Sequence, residues 1–177
     1  MNTLPFKRIN DEVFIAVDDI VRFDVRAIEF IKTKALENAR GRARICAHRN
    51  STDSLHEMLI AIQENSYIRP HRHHNKIESF HLIEGEADIL IFNEEGVIND
   101  IVRLSKENNF YYRLNTPQYH TLLIYSSLLV IHEVTNGPFD ANTSDFAAFS
   151  PDENEKAQID YYIESLKKQV ISFYISQ

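Results

Sequence analysis

The chain has 177 residues, which suits one domain rather than two, and 44% hydrophobic with 25% charged residues is the balance of a globular protein with a real core. Its 19 Lys+Arg against 26 Asp+Glu give a formal net charge of −7, the wrong sign for a general nucleic-acid binder. Apolar runs such as LLVI at 128–131 are far too short to span a bilayer, and the opening MNTLPFKRINDEV is charged where a signal peptide is apolar. The expectation is a cytoplasmic protein with neither nucleic acid nor membrane as partner. The single cysteine, Cys46, excludes an intramolecular disulfide and a Cys-rich zinc site, which leaves histidine and carboxylate to coordinate metal.

In chain order, EVFIAV (12–17) alternates briefly and the pattern then turns helical. Asp24 is placed to cap a helix running to about Asn38, with Ile28, Ile31 and Ala35 at helical spacing and Gly41 just beyond. Ser54 is placed to cap a second helix over LHEMLIAIQ, with Leu55, Met58, Leu59 and Ile62 on one stripe. From Ser66 to about Val134 the period becomes two. Runs rich in Ile, Leu, Tyr and Phe (67–73, 78–84, 86–92, 99–104, 110–114, 119–125 and 128–134) are separated by turn signals such as Glu84-Gly85 and Ser126-Ser127. Many short strands without intervening helices predict an antiparallel sandwich or small barrel. TNGPFDANTSD reads as a loop, and after Pro151 comes a final helix with Ile159, Ile163, Leu166, Val170 and Phe173 in one stripe, a face for docking on the barrel or a second subunit. No linker or repeat divides the chain. The expected organisation is a mixed N-terminal region with helices over 1–64, a barrel core over 65–135, and a loop with a C-terminal helix over 136–177.

Four of the eight histidines (His71, His73, His74 and His81) fall within eleven residues. They lie in RPHRHHNKIESFHLIEG. Alternate residues of a strand share a face, so His71 and His73 project together, roughly 6.6 Å apart along the backbone. After a turn, Glu78 opens the next strand, where its carboxylate can join the same ion. Imidazole and carboxylate suit Zn, Fe, Mn, Ni or Cu. Gly85 then permits a tight turn to the following strand.

The spacing H-x-H, four residues, E, six residues, G resembles the first motif of the cupin superfamily, a double-stranded β-helix or jelly-roll barrel. RARICAHRN, RPHRHHNKIESF and NGPFDANTSDFAAFSP together look like the WbuC family of cupin-fold metalloproteins, which is associated with bacterial surface-polysaccharide (O-antigen) gene sets. That resemblance implies a mainly β fold, with the barrel carrying N-terminal helices and a C-terminal helix, and one divalent metal ion (Zn, Fe, Mn or Ni). It also implies a fourth ligand from a second cupin motif. Placed here with His120 as ligand, that motif keeps only its histidine, with Asn109, Asn115, Pro117 and Ile124 at its other fixed positions. The expected ligand set is His71, His73, Glu78 and His120. The resemblance further implies a homodimer, and it keeps His48 near the pocket.

Strand parity extends the site. If His71 and His73 face the interior, so do Tyr67 and Arg69, and Arg69 then needs an anionic partner such as Glu78 or a ligand carboxylate or phosphate. Phe80 and Leu82 share the inward face with Glu78 as an apolar wall, and His81 faces away. His132 and Glu133 have opposite parity, so one of them lines the cavity. Tyr67, His132 and Glu133 are the candidates for moving a proton, and Arg69, Tyr67 and Phe80 those for holding a ligand. The expected function is a metal-binding cupin acting on a sugar or sugar-nucleotide intermediate of surface-polysaccharide synthesis. The alternatives are a non-catalytic protein that binds or senses a sugar or small acid, and an Fe(II)-dependent dioxygenase.

Overall fold

The computed structural model describes residues 5–140 and 143–176. Two short strands, β1 (Phe6–Arg8) and β2 (Val13–Ala16), lead to helix α1 (Val25–Glu37) and strand β3 (Arg42–Cys46). Eight strands follow: β4 (Leu55–Gln63), β5 (His71–His73), β6 (Glu78–Glu84), β7 (Ala87–Phe92), β8 (Ile98–Leu104), β9 (Tyr111–Leu114), β10 (Tyr119–Ile124) and β11 (Leu128–Asn136). A last short strand, β12 (Ser144–Phe146), precedes helix α2 (Lys156–Ile175).

Pairing sorts these strands into two sheets, ordered β1-β2-β3-β4-β11-β6-β9 and β12-β5-β10-β7-β8. Within β4–β11, the first strand pairs with the eighth, the second with the seventh and the fourth with the fifth. That nested order is the jelly roll, two Greek keys folded face to face, and it is the cupin-type β-sandwich. The two sheets enclose a shared core of Met58, Ile60, Phe80, Ile89, Leu129 and Ile131 with their neighbours. Gly85 makes the β6–β7 turn at φ +93°, where an added Cβ would stand 2.5 Å from the Leu128 carbonyl oxygen. No L side chain fits there without displacing backbone.

The helices cover the outer faces. Asp24 caps α1, its side chain accepting from the backbone N–H groups of Arg26 and Ala27. The helix lays Ala27, Ile31 and Ala35 on Ala43, Ile45, Leu59 and Val130 of the larger sheet. Leu166 and Val170 of α2, with Ile163 and Phe173 beside them, pack on Leu90, Phe92 and Leu123 of the smaller sheet, so the C-terminal stripe docks on the barrel.

One N-terminal helix is present among the described residues where two were expected. Leu55–Gln63 is a strand, and the jelly roll therefore begins ten residues earlier than position 65. The cause is burial on both faces. His56, Met58, Ile60 and Ile62 face the cavity between the sheets, while Leu59 and Ala61 face α1. A strand buried on both sides has no polar alternation, and its apolar residues then fall by coincidence at helical spacing. No helix among the described residues is long and apolar enough to cross a membrane.

Candidate metal centre

Three strands bring four side chains together at one end of the interior. His71 and His120 lie directly opposite one another on β5 and β10, with ring centroids 4.6 Å apart. His73, two residues along β5, projects to the same side, its ring 4.8 Å from that of His71. One ligand atom from each of these three histidines lies within 4.8 Å of the others, close enough to share an ion. Glu78, at the start of β6 in the facing sheet, closes the set. Its Oε1 is 2.9 Å from His120 Nε2 and its Oε2 is 3.6 Å from His73 Nε2.

The outer nitrogens of the rings are already committed. His71 Nδ1 lies 2.9 Å from the Arg69 carbonyl oxygen and His120 Nδ1 lies 3.0 Å from that of Gln118. A carbonyl can only accept, so both Nδ1 atoms carry a proton, which leaves both Nε2 atoms as the ones that offer a lone pair to the centre whenever the ring is neutral. His73 Nδ1 is 2.9 Å from Ser144 Oγ on β12. Glu78 Oε1 is buried and, despite its closeness to His120, has no aligned hydrogen bond. Three oriented imidazoles and a buried carboxylate oxygen lacking a donor are what a hard or borderline divalent cation requires, and no sulfur ligand biases the choice among Zn, Fe, Mn and Ni.

The charge states fit the same picture. Burial, with His120 beside it, pushes the His71 imidazole down to about 4, so it is neutral at physiological pH. Burial and the neighbouring His120 likewise hold His73 below the usual range, although the Glu78 charge opposes this. Burial alone would raise Glu78, but the positive potential of His120, His71 and His73 brings it down to about 2, an ionised carboxylate.

These groups open into a cavity of about 530 Å³ between the sheets, within the range that encloses a small molecule. Its walls are apolar (Ile60, Ile68, Phe80, Leu122 and Ile131 among them), and its polar lining includes Glu12, Arg42, Arg44, His48, Arg49, His56, Lys76 and Glu133 in addition to the four central side chains. His48 and His56 stack with ring centroids 4.0 Å apart and planes 5° from parallel. Along β11 it is Glu133 that faces the cavity, flanked in register by Met58 and Phe80. Burial and the nearby Glu78 charge push its carboxyl up to about 7. His132 turns to the outer face of the sheet, 3.7 Å from a Glu57 carboxylate oxygen and stacked near His81.

Tyr67 and Arg69 do not line the cavity, which corrects the parity expectation. Strand β5 starts only at His71, so alternation does not extend backward through the buried Pro70, and it is Ile68 that points inward. Tyr67 instead donates its hydroxyl to the Pro151 carbonyl at 3.0 Å. Arg69 pairs with Asp152 at 2.8 Å and lies over the Phe146 ring. Both side chains anchor the segment leading into α2. Phe80 is inward as expected, His81 faces out, and His74 pairs at the surface with Asp145. Sequence reasoning missed Arg42, Arg44, Lys76 and His56. For the two arginines the signal was present, because in RARIC the alternation places Arg42, Arg44 and Cys46 on one face.

Comparison with known proteins adds the following. A family model for a domain of unknown function, DUF6016, matches residues 23–104. No curated protein matches. Protein SO0799 from Shewanella oneidensis superposes with a TM-score of 0.53 at 13% identity, over 68% of this chain and 83% of that one, and so shares the fold. DMSP lyase DddQ from Ruegeria pomeroyi matches at a TM-score of 0.48 and 16% identity, over 63% of this chain and 54% of its own. The capsular polysaccharide assembling protein CapF from Staphylococcus aureus matches at 0.47 and 16%, over 59% of this chain, which spans only 31% of CapF.

Proposed function

We propose that the chain binds one divalent metal ion through His71, His73, Glu78 and His120 and holds a small sugar-like or acidic molecule beside it. The observation that supports this most is the convergence of three imidazoles whose outer nitrogens are already bonded, around a buried carboxylate oxygen that lacks a donor. A bound ion supplies Lewis-acid polarisation of a ligand oxygen, or a bound water of lowered pKa. The remaining roles belong to the protein. Phe80 and Ile131 exclude water and give the ligand an apolar wall, and Glu133, on the same wall, is the group placed to hold or move a proton at the ligand.

The finer reading, a cytoplasmic protein acting on a sugar or sugar-nucleotide intermediate of bacterial surface-polysaccharide synthesis, rests on the likeness of three segments to the WbuC family. The homodimer implied by the same likeness has support in Ile83 and Tyr111, apolar and 40% and 38% exposed on strands β6 and β9 of the larger sheet.

Elemental analysis of purified protein tests the core of the proposal, with close to one divalent ion per chain expected and its loss on His71→Ala. Absence of metal from wild-type protein overturns it. A thermal-shift screen of the metal-loaded form against sugar nucleotides and small acids, followed by assay of any binder for turnover, tests the rest. Binding without turnover at saturating metal supports the sensing alternative, and Fe(II)-dependent oxygen uptake the dioxygenase.

A further inference from the structure

Strand β3 extends the larger sheet beyond the eight-stranded barrel and presents Arg42, Arg44 and Cys46 to the cavity, while Ala43 and Ile45 pack under α1. The two arginines differ in one respect. Arg42 pairs with Glu153 at 3.2 Å and lies 3.9 Å from Glu12. Arg44, half-buried and lining the same cavity, has no side-chain hydrogen bond and no carboxylate within 4.0 Å among the described residues. Each of the other ten arginines has a side-chain hydrogen bond, down to the exposed Arg22, whose guanidinium donates to a backbone carbonyl.

A second cation stands in the same position. Lys76, from the turn between β5 and β6, lines the cavity, rests its ammonium 5.1 Å from the Phe139 ring centroid, and forms no ion pair among the described residues. Glu133 lines the same cavity, and both cations pull its carboxyl down without either reaching salt-bridge distance. Desolvating a guanidinium is costly without an anion to face it. A protein whose overall charge is −7 has carboxylates to spare, yet none closes on Arg44.

We infer that Arg44 and Lys76 form an oxyanion subsite, which holds the carboxylate or phosphate of a small ligand lying in the cavity alongside Phe80 and Glu133. Arg44 supplies the planar fork that matches two oxygens, and Lys76 a point charge from a different segment of the same cavity wall. The subsite rests on the proposal above only in placing the rest of the ligand next to the metal centre. It selects an anionic ligand over a neutral sugar.

Calorimetric titration with inorganic phosphate and with succinate tests this, on metal-loaded protein and on protein stripped by a chelator. At least one of the two anions binds wild-type protein in both forms, and the preferred one distinguishes a phosphate ester from an organic acid as the natural ligand. Arg44→Met weakens that binding by about tenfold or more, Arg44→Lys by less, and Lys76→Met by several-fold, with metal content and melting temperature close to wild type. Arg26→Met, which removes a surface ion pair with Asp24 outside the cavity, leaves it unchanged. Failure of both anions to bind wild-type protein overturns the inference, as does unaltered binding by a folded Arg44→Met protein. Arg44-dependent binding to a protein that takes up no metal would leave the subsite standing while the metal proposal fell.

Discussion

Glu78 Oε1 and His120 Nε2 stand 2.9 Å apart across the two sheets, the most buried carboxylate–imidazole contact in the cavity. Burial alone would make His120 a weaker base, but the Glu78 charge outweighs it, and its pKa lies above the ordinary 6.5. In the metal-free protein His120 therefore keeps its second proton to a higher pH than an ordinary imidazole does, close to where the cation would go.

Metal uptake must displace that proton. Because the pKa of His120 is raised, the competing proton is present below a point somewhat above pH 6.5 and absent well above it. Metal affinity falls as pH drops through that window, by about tenfold per pH unit for each proton displaced. His71, neutral down to about pH 4, adds no competition there. Calorimetry in buffers of different ionisation enthalpy should detect proton release on metal binding at pH 6.5. An affinity constant from pH 8 to pH 6 would contradict this.

Removing the ion should be felt as lost stability. Chelation is expected to lower the melting temperature of wild-type protein by mass action and to leave His71→Ala unchanged. Glu78→Gln keeps the side-chain volume but removes the charge, so it should lose at least about tenfold in metal affinity. A Glu78→Gln protein with full metal content would remove the carboxylate from the ligand set.

Tyr67 and Arg69 should behave as structural residues. Tyr67→Phe deletes the bond to the Pro151 carbonyl and should cost about 0.5–1.5 kcal/mol of stability with no change in metal content or ligand binding. Glu133→Gln should do the reverse, altering any proton-dependent step with little effect on folding. Equal loss of ligand binding in the Tyr67 and Glu133 variants would contradict the placement of Tyr67 outside the cavity.

Cys46 lines the cavity, yet burial pushes its thiol up to about 11. At pH 8 only about one molecule in a thousand carries the reactive thiolate, so alkylation by iodoacetamide should run at least about tenfold slower than for an unstructured cysteine peptide. Rapid labelling of folded protein would show that the thiol is activated.

Ile31 is fully buried between α1 and the larger sheet, remote from the histidines. Ile31→Ala should cost about 2–5 kcal/mol, readable in urea denaturation, with metal stoichiometry unchanged in the folded fraction. Metal loss in that variant at temperatures where it remains folded would show that the helix layer sets the site geometry.

Most of the barrel was legible because its strands are bounded by turn residues and alternate on one face. The His71, His73 and Glu78 grouping was legible because a strand, a turn and a strand fix the spacing of a converging set. The second strand of that logic failed at Leu55–Gln63, where burial on both faces erases the alternation that would have marked a strand. It failed again at Tyr67 and Arg69, where Pro70 ends the ladder and parity does not carry past it. Arg44 was overlooked for a different reason. Its importance lies in the absence of an ion pair, and pairing depends on which acids the fold delivers, which no local pattern contains.

Strand β5 is three residues long, carries two of the three histidines, and is held between β10 and β12, whose partner residues lie about 50 and 73 positions further along the chain. Ser144, on the last of these strands, supports the ring of His73. The histidine cluster is thus assembled from contacts of high sequence separation, the slowest kind to form. A chain still emerging from the ribosome lacks the segments that orient the imidazoles, so uptake of a metal ion there would have to follow closure of the barrel.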